Sequence, residues 1–366
     1  KPIHPEYVSG DEILQNTQKR ILAEGKAIFH LGESHILNTG LEYRLDYLKA
    51  PYNVQGDHAT AYILSAYAQD EWTIFKGMNA TLGLRANTHK EFGFNLNPKA
   101  SLRYHIGSWN IRATYAEGFK APTLKQMYYQ YERDMMGKLT RYLGSTNLDP
   151  QTSRYISAGI EYQPSVYSFS LTGYINTVND MIELVEIPVS VRDAAHGIER
   201  TMNYQNIEDA ESKGVDMLAS AHWKYGWSAG VGYSFVYADG HQLNDDGEVE
   251  HIMLDGTSKH HGNAHVRWRH TWNDYTLGVG VFAKSQSKRY YRYYGDTHGF
   301  TLLRLSTSHK LVRHHGFTYE AQAGVDNLLD YKVTKPYGTN YGTKTPGRTY
   351  YVSLIVSFSR DNKRKR

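Results

Sequence analysis

Apolar and polar residues alternate with a period of two along most of the chain. In 227–238 the odd positions are Trp227, Ala229, Val231, Tyr233, Phe235 and Tyr237, and the even ones are mostly small. The same alternation carries Ile156, Ala158, Ile160 and Tyr162, and near the end Tyr350, Val352, Leu354, Val356 and Phe358. Successive strand side chains point to opposite faces, so each segment predicts a β-strand with one greasy and one polar side. About fifteen such strands are expected, near 20–31, 35–47, 61–73, 77–88, 97–106, 108–117, 152–162, 166–184, 204–223, 226–238, 259–271, 274–284, 299–310, 317–328 and 348–358.

The connections alternate in length. Tight turns are expected at 31–34, 74–77, 106–108, 163–165, 224–226, 272–274 and 311–316, with long loops at 48–60, 88–96, 118–151, 184–203, 239–258, 285–298 and 329–347. Short turns on one rim and long loops on the other describe an outer-membrane barrel. A soluble sandwich also alternates, but its strands are usually about five or six residues long. These runs suit a tilted bilayer crossing of about 9–11 residues. Trp72, Trp109, Trp223, Trp227, Trp268 and Trp272 stand near strand ends, where an interfacial girdle is expected.

The fold class expected is therefore all-β: an antiparallel transmembrane β-barrel in a bacterial outer membrane, long loops facing out. Residues 1–19 are assigned to a partial extracellular loop, 20–358 to the barrel and 359–366 (SRDNKRKR from Ser359) to a basic periplasmic tail. Fifteen is odd where single-chain bacterial barrels have even counts, and unpaired edges are not tolerated in lipid. Both points suggest a sequence that begins inside a larger protein.

Composition removes several other classes. No apolar run approaches the ~18 residues of a spanning helix, and mean hydropathy is −0.59, which excludes a helical membrane protein and leaves a barrel open. With 31 Tyr, 11 Phe, 6 Trp and a net charge of +4, the chain does not read as disordered. Lys and Arg are scattered except at the tail, so no nucleic-acid groove is expected. Cysteine is absent, which removes disulfides, thiolate metal sites and Cys nucleophiles. No spacing marks a nucleophile with its base and orienter, and an enzyme is not expected.

Several segments resemble, in order, the C-terminal part of a TonB-dependent outer-membrane transporter barrel. They are AYAQDEW from Ala66, NPKASLRY from Asn97, YAEGFKAPTLK from Tyr115, NLDPQTS from Asn147, GYINTVNDMI from Gly173, SKGVDM from Ser212, DNLLDY from Asp326 and PGRTYYVSLIVSF from Pro346. The resemblance implies about fifteen strands of a 22-strand barrel, with a plug domain and its TonB contact absent from this chain. It implies uptake of a scarce solute, energised by the TonB–ExbB–ExbD complex through that plug. Haem or a ferric siderophore leads as cargo, then cobalamin, then a glycan; a surface lipoprotein partner is open. No covalent cofactor is implied. A passive porin is the alternative, against which the ordered motifs argue.

The 118–151 loop offers the first candidate cargo surface. Its boxes FKAP (Phe119, Lys120, Pro122) and STNLD (with Asn147) resemble boxes prominent in haem receptors, where a histidine between them can ligate iron. No His lies between Phe119 and Asp149. The loop instead offers Tyr128, Tyr129, Tyr131, Met135, Met136 and Tyr142, with Arg141 nearby; Tyr and Met are possible haem ligands. The alternative is that the boxes anchor the loop structurally, with Pro fixing its base. The second candidate is 288–294, where Arg289, Tyr290, Tyr291, Arg292, Tyr293 and Tyr294 interleave cations with rings able to stack on a flat anionic cargo or form an interfacial belt. No metal site is expected from the 18 histidines. His260 and His261 point to opposite faces of a strand, and the acidic 244–250 loop lacks EF-hand spacing.

Overall fold

The computed structural model describes residues 16–135, 137–243, 249–291, 295–314, 316–333 and 345–358. Eighteen strands form one sheet. They are β1 (Thr17–Leu31), β2 (His35–Lys49), β3 (His58–Phe75), β4 (Met78–His89), β5 (Gly93–Ile106), β6 (Trp109–Lys120), β7 (Tyr131–Met135), β8 (Lys138–Leu143) and β9 (Gln151–Tyr162). There follow β10 (Tyr167–Ile187), β11 (Arg200–His222), β12 (Trp227–Leu243), β13 (Val249–Met253), β14 (His260–Trp272), β15 (Tyr275–Gln286), β16 (Phe300–His314), β17 (Phe317–Asp326) and β18 (Thr349–Phe358). Two one-turn helices, α1 (Leu124–Tyr128) and α2 (Val191–Ala195), lie in the long connections.

Fifteen of these strands make an antiparallel meander in which each pairs with the next, as the alternation predicted. The meander passes over β7, β8 and β13: β6 pairs with β9 and β12 with β14. β7 and β8 form their own hairpin above the wall, and β13 folds back on the outer end of β12. β1 pairs with β2 and β18 with β17, so these two close the series as its edges.

Register shows which face is which. Glu42 opposes Ser65, Ser65 opposes Asn87 and Asn87 opposes Asn95, so one face carries a polar row from strand to strand. The other carries Leu41, Leu64, Leu82, Phe94 and Leu102, all exposed. A wall whose large apolar residues face out and whose polar residues face in suits lipid outside and water within. Trp227 and Tyr233 stand on that outer face at 48% and 39% exposure, so no sealed sandwich core exists there. Trp72, Trp109, Trp223, Trp227, Trp268 and Trp272 all lie at the short-turn rim, where Trp268 meets Trp227 and Trp272 at ring separations of 6.3 and 5.9 Å. The turns there are tight. At Gly226 the backbone is left-handed (φ 82°), and a Cβ would overlap the Arg269 carbonyl, so only glycine fits.

Five expectations need correction. The 239–258 loop carries the end of β12, to Leu243, and the whole of β13. The 88–96 loop shrinks to 90–92, because β4 and β5 pair out to His89↔Gly93. The 118–151 loop is largely ordered into α1, β7 and β8. β10 and β11 run on to Ile187 and back from Arg200, leaving 188–199 as their connection. Thr17–Lys19, assigned to a loop, already belong to β1. The tail 359–366 lies outside the described residues.

Candidate functional site

The buried apolar cluster sits at the long-loop rim. Leu48, Ala50, Val54, Ala61, Leu124, Met127, Leu148 and Ile182 pack together, with Tyr128, Tyr129 and Tyr204 against them. α1 supplies Leu124 and Met127. Its start is fixed by a capping box: Thr123 Oγ1 accepts from the Gln126 N–H at 3.2 Å, and Gln126 Oε1 accepts from the Thr123 N–H at 2.9 Å. This plug of apolar side chains pins the FKAP segment over the inner face of β1–β4.

Beneath it lies a cavity of about 480 Å³, flanked by a second under 117–123. The size is that of a small-molecule pocket. Together they are lined by six Lys or Arg residues (Lys19, Arg20, Arg44, Arg85, Lys120, Lys125) against three carboxylates (Glu42, Asp46, Glu117). Arg20 and Arg44 share Asp46 at 2.6 and 3.0 Å, and Arg85 meets Glu42 at 3.1 Å. These three arginines are thereby held in place, and positive charge remains in excess. A concave surface of this kind attracts a multiply negative solute, because low-dielectric walls focus the field.

The structure places the sequence-predicted residues unevenly. Lys120 lines the second cavity and Pro122 is buried at the base of the loop, with Phe119 paired to Thr152 at the end of β6. Asn147 is exposed, and its N–H donates to Ser145 Oγ. Tyr128 and Tyr129 are packing residues of the apolar cluster. Tyr131 stacks face to face on the buried Tyr142, centroids 4.6 Å apart. Arg141 meets Glu132 at 2.6 Å and also pairs with Asp193 of α2. The tyrosine and arginine group read as a cargo surface is thus largely the interior of the β7–β8 hairpin. Met136, with Arg292, Tyr293 and Tyr294, lies outside the described residues.

In the second loop, Arg289 bridges Ser258 and Thr297, and Tyr290 takes the ammonium of Lys288 on its ring at 4.6 Å. The Asp296 carboxylate, 2.9 Å from Lys288 Nζ, holds that lysine above its ordinary value. The Tyr291 N–H donates to Asp296 at 3.4 Å.

Two further acids stand on the rim. β10 is 21 residues long, so a crossing of about 9–11 residues from Tyr167 leaves Glu183 and Glu186 beyond it. Burial pushes Glu183 above the usual carboxylate range, and Asp255 adds to the rise. The Arg200 guanidinium, 2.6 Å from Glu186, holds that carboxyl below it.

Sequence reasoning missed the basic cavities. The signal was there in the spacing: Glu42, Arg44 and Asp46 occupy alternate positions, as do Arg85, Asn87 and His89. What alternation does not give is which strands lie together under α1.

A profile of the family described as TonB dependent receptor-like, beta-barrel matches residues 6–328. The ferric enterobactin receptor PirA of Pseudomonas aeruginosa is 25% identical over 325 residues, covering 81% of this chain and 41% of that protein. The iron-regulated outer membrane virulence protein of Vibrio cholerae is 24% identical, covering 90% and 50%. The chain therefore spans about half or less of the length of these relatives. In three dimensions it superposes on the crystal structure of the siderophore receptor PirA from P. aeruginosa with a TM-score of 0.70 at 19% identity, covering 93% of this chain and 56% of that one. The FrpB iron transporter of Neisseria meningitidis gives 0.68 at 15%, covering 93% and 55%.

Proposed function

The chain belongs to the TonB-dependent receptor β-barrel family, and from that premise we propose that it forms the wall and outer vestibule of a receptor for TonB-energised uptake of a ferric siderophore. The cargo class is a multiply negative iron chelate, such as a catecholate. The excess of lysine and arginine in the cavities beneath the FKAP segment carries this reading. Two relatives named as ferric enterobactin receptors support it.

Haem is the weaker reading. Between Phe119 and Asp149 there is no histidine, and Tyr131 and Tyr142 are engaged with each other. Cobalamin and glycans have no observation in their favour.

The test is a binding comparison in outer membranes containing the full receptor. A ferric catecholate, multiply negative, should bind in preference to a neutral ferric hydroxamate. The double variant Arg44→Ala, Arg85→Ala should weaken the catecholate about tenfold or more and leave the hydroxamate unchanged. Equal affinity for both chelates in wild type, unaffected by the double variant, would remove the charge argument.

A further inference from the structure

On the outward side of the rim, three side chains converge that the described cavities do not use. β12 presents Asp239 and His241 two residues apart, hence on one face, and β13 brings His251 directly opposite His241. His251 Nδ1 lies 3.0 Å and His241 Nε2 3.8 Å from the same Asp239 oxygen. All three ligand atoms lie within 4.8 Å of one another.

From these atoms we infer a divalent transition-metal site of the zinc type, built from two imidazoles and one carboxylate. Tetrahedral Zn²⁺ bonds nitrogen and oxygen at about 2.0–2.1 Å, which separates neighbouring ligand atoms by roughly 3.3 Å. The two measured separations bracket that spacing. Asp239 is 5% exposed, and a carboxylate so buried requires compensating positive charge. Its ion-pair partners here are the two histidines. Across the sheet, β11 sets Asp209 opposite His241 and Glu211 opposite Asp239, which adds negative potential on the same side. Lys213, the nearest lysine of β11, is bonded to Glu211 at 2.7 Å.

His251 is well exposed, so an ion has a path from solvent and room for a water or further ligand. Two nitrogen ligands select zinc, copper or nickel over calcium or magnesium. By bonding both strands, the ion cross-links the β12–β13 hairpin. This site is separate from the lumenal cavities and stands whether or not their cargo is a siderophore.

The experiment is a Zn²⁺ titration of the full chain in detergent after chelator treatment, by calorimetry. One Zn²⁺ per chain should bind, at least about tenfold more weakly in His251→Ala and in Asp239→Asn. His270→Ala, on the outward face near the opposite rim, should match wild type and serves as the control for adventitious histidine binding. Zn²⁺ should also slow amide exchange in Val249–Met253. Titrations identical in wild type and His251→Ala, or Zn²⁺ bound with no slowing in β13, would overturn the proposal. His251 is exposed, so its alanine variant is expected to fold.

Discussion

Two hairpins stand on the same rim and are fastened by different chemistry. β7–β8 is held by Arg141, whose guanidinium joins Glu132 on its own hairpin to Asp193 on α2. β12–β13 is held by Asp239 between two imidazoles. A guanidinium keeps its charge at every pH a cell meets and offers a rigid fork of donors. An imidazole is neutral or charged according to its surroundings and can bind metal instead. The first fastening is permanent and the second is conditional on what solution supplies. Nearness to the pocket follows the same division. The permanent clasp belongs to the 121–150 insertion that roofs the basic cavities, the conditional one to a face turned away from them.

The largest effect is expected at Arg141. Replacing it with alanine leaves two largely buried carboxylates without their cation, at a cost of about 3–5 kcal/mol. Amide exchange should then accelerate through Tyr131–Leu143 and 190–199 while β2–β5 remain protected. Protection unchanged at the rim would mean the guanidinium is dispensable there. Tyr131→Ala should act more mildly on the same hairpin, removing a ring stack worth about 0.5–1.5 kcal/mol beyond its buried area. Haem absorption spectra of wild type and this variant should coincide; an axial-ligand band lost on substitution would restore Tyr131 as an iron ligand.

The smallest effect separates two acids three residues apart. Glu186 has its carboxyl lowered by Arg200, so its stabilisation is complete above the ordinary glutamate value, about 4.3, and disappears as pH falls through the folded value. Glu183 is raised by burial, so its neutral form favours the fold and that contribution is lost as pH rises through the folded value. Thermal stability of Glu186→Gln should fall below wild type at pH 7 and approach it in acid. Glu183→Gln should do the reverse, exceeding wild type at pH 7. Parallel pH profiles for the two variants would contradict these assignments.

The wall was legible because period two repeats in every strand, and lipid outside with water inside leaves it little freedom. The misread boundary at 88–96 shows the limit. Asn95, between Gly93 and Asn97, reads as a loop residue but faces the lumen opposite Asn87, while Phe94 and Leu96 continue the outward apolar row on either side of it. The site was less legible for a different reason. Arg141 and Asp193 are separated by 52 residues, and His241 meets His251 only through hairpin register. Such encounters depend on how strands align, and residue type alone is silent on that. Tyr131 and Tyr142 looked like a ligand surface because exposed and stacked rings have the same composition.

One feature of the rim reaches beyond its own neighbourhood. β8 runs parallel to β11 over Arg200↔Thr140 to Asn203↔Leu143, leaping past β9 and β10 to do so. The β7–β8 hairpin is thereby stitched to the outer start of β11, and lifting it means unzipping that rung-by-rung seam. Displacing the hairpin therefore also loads the outer start of β11, where that seam is anchored.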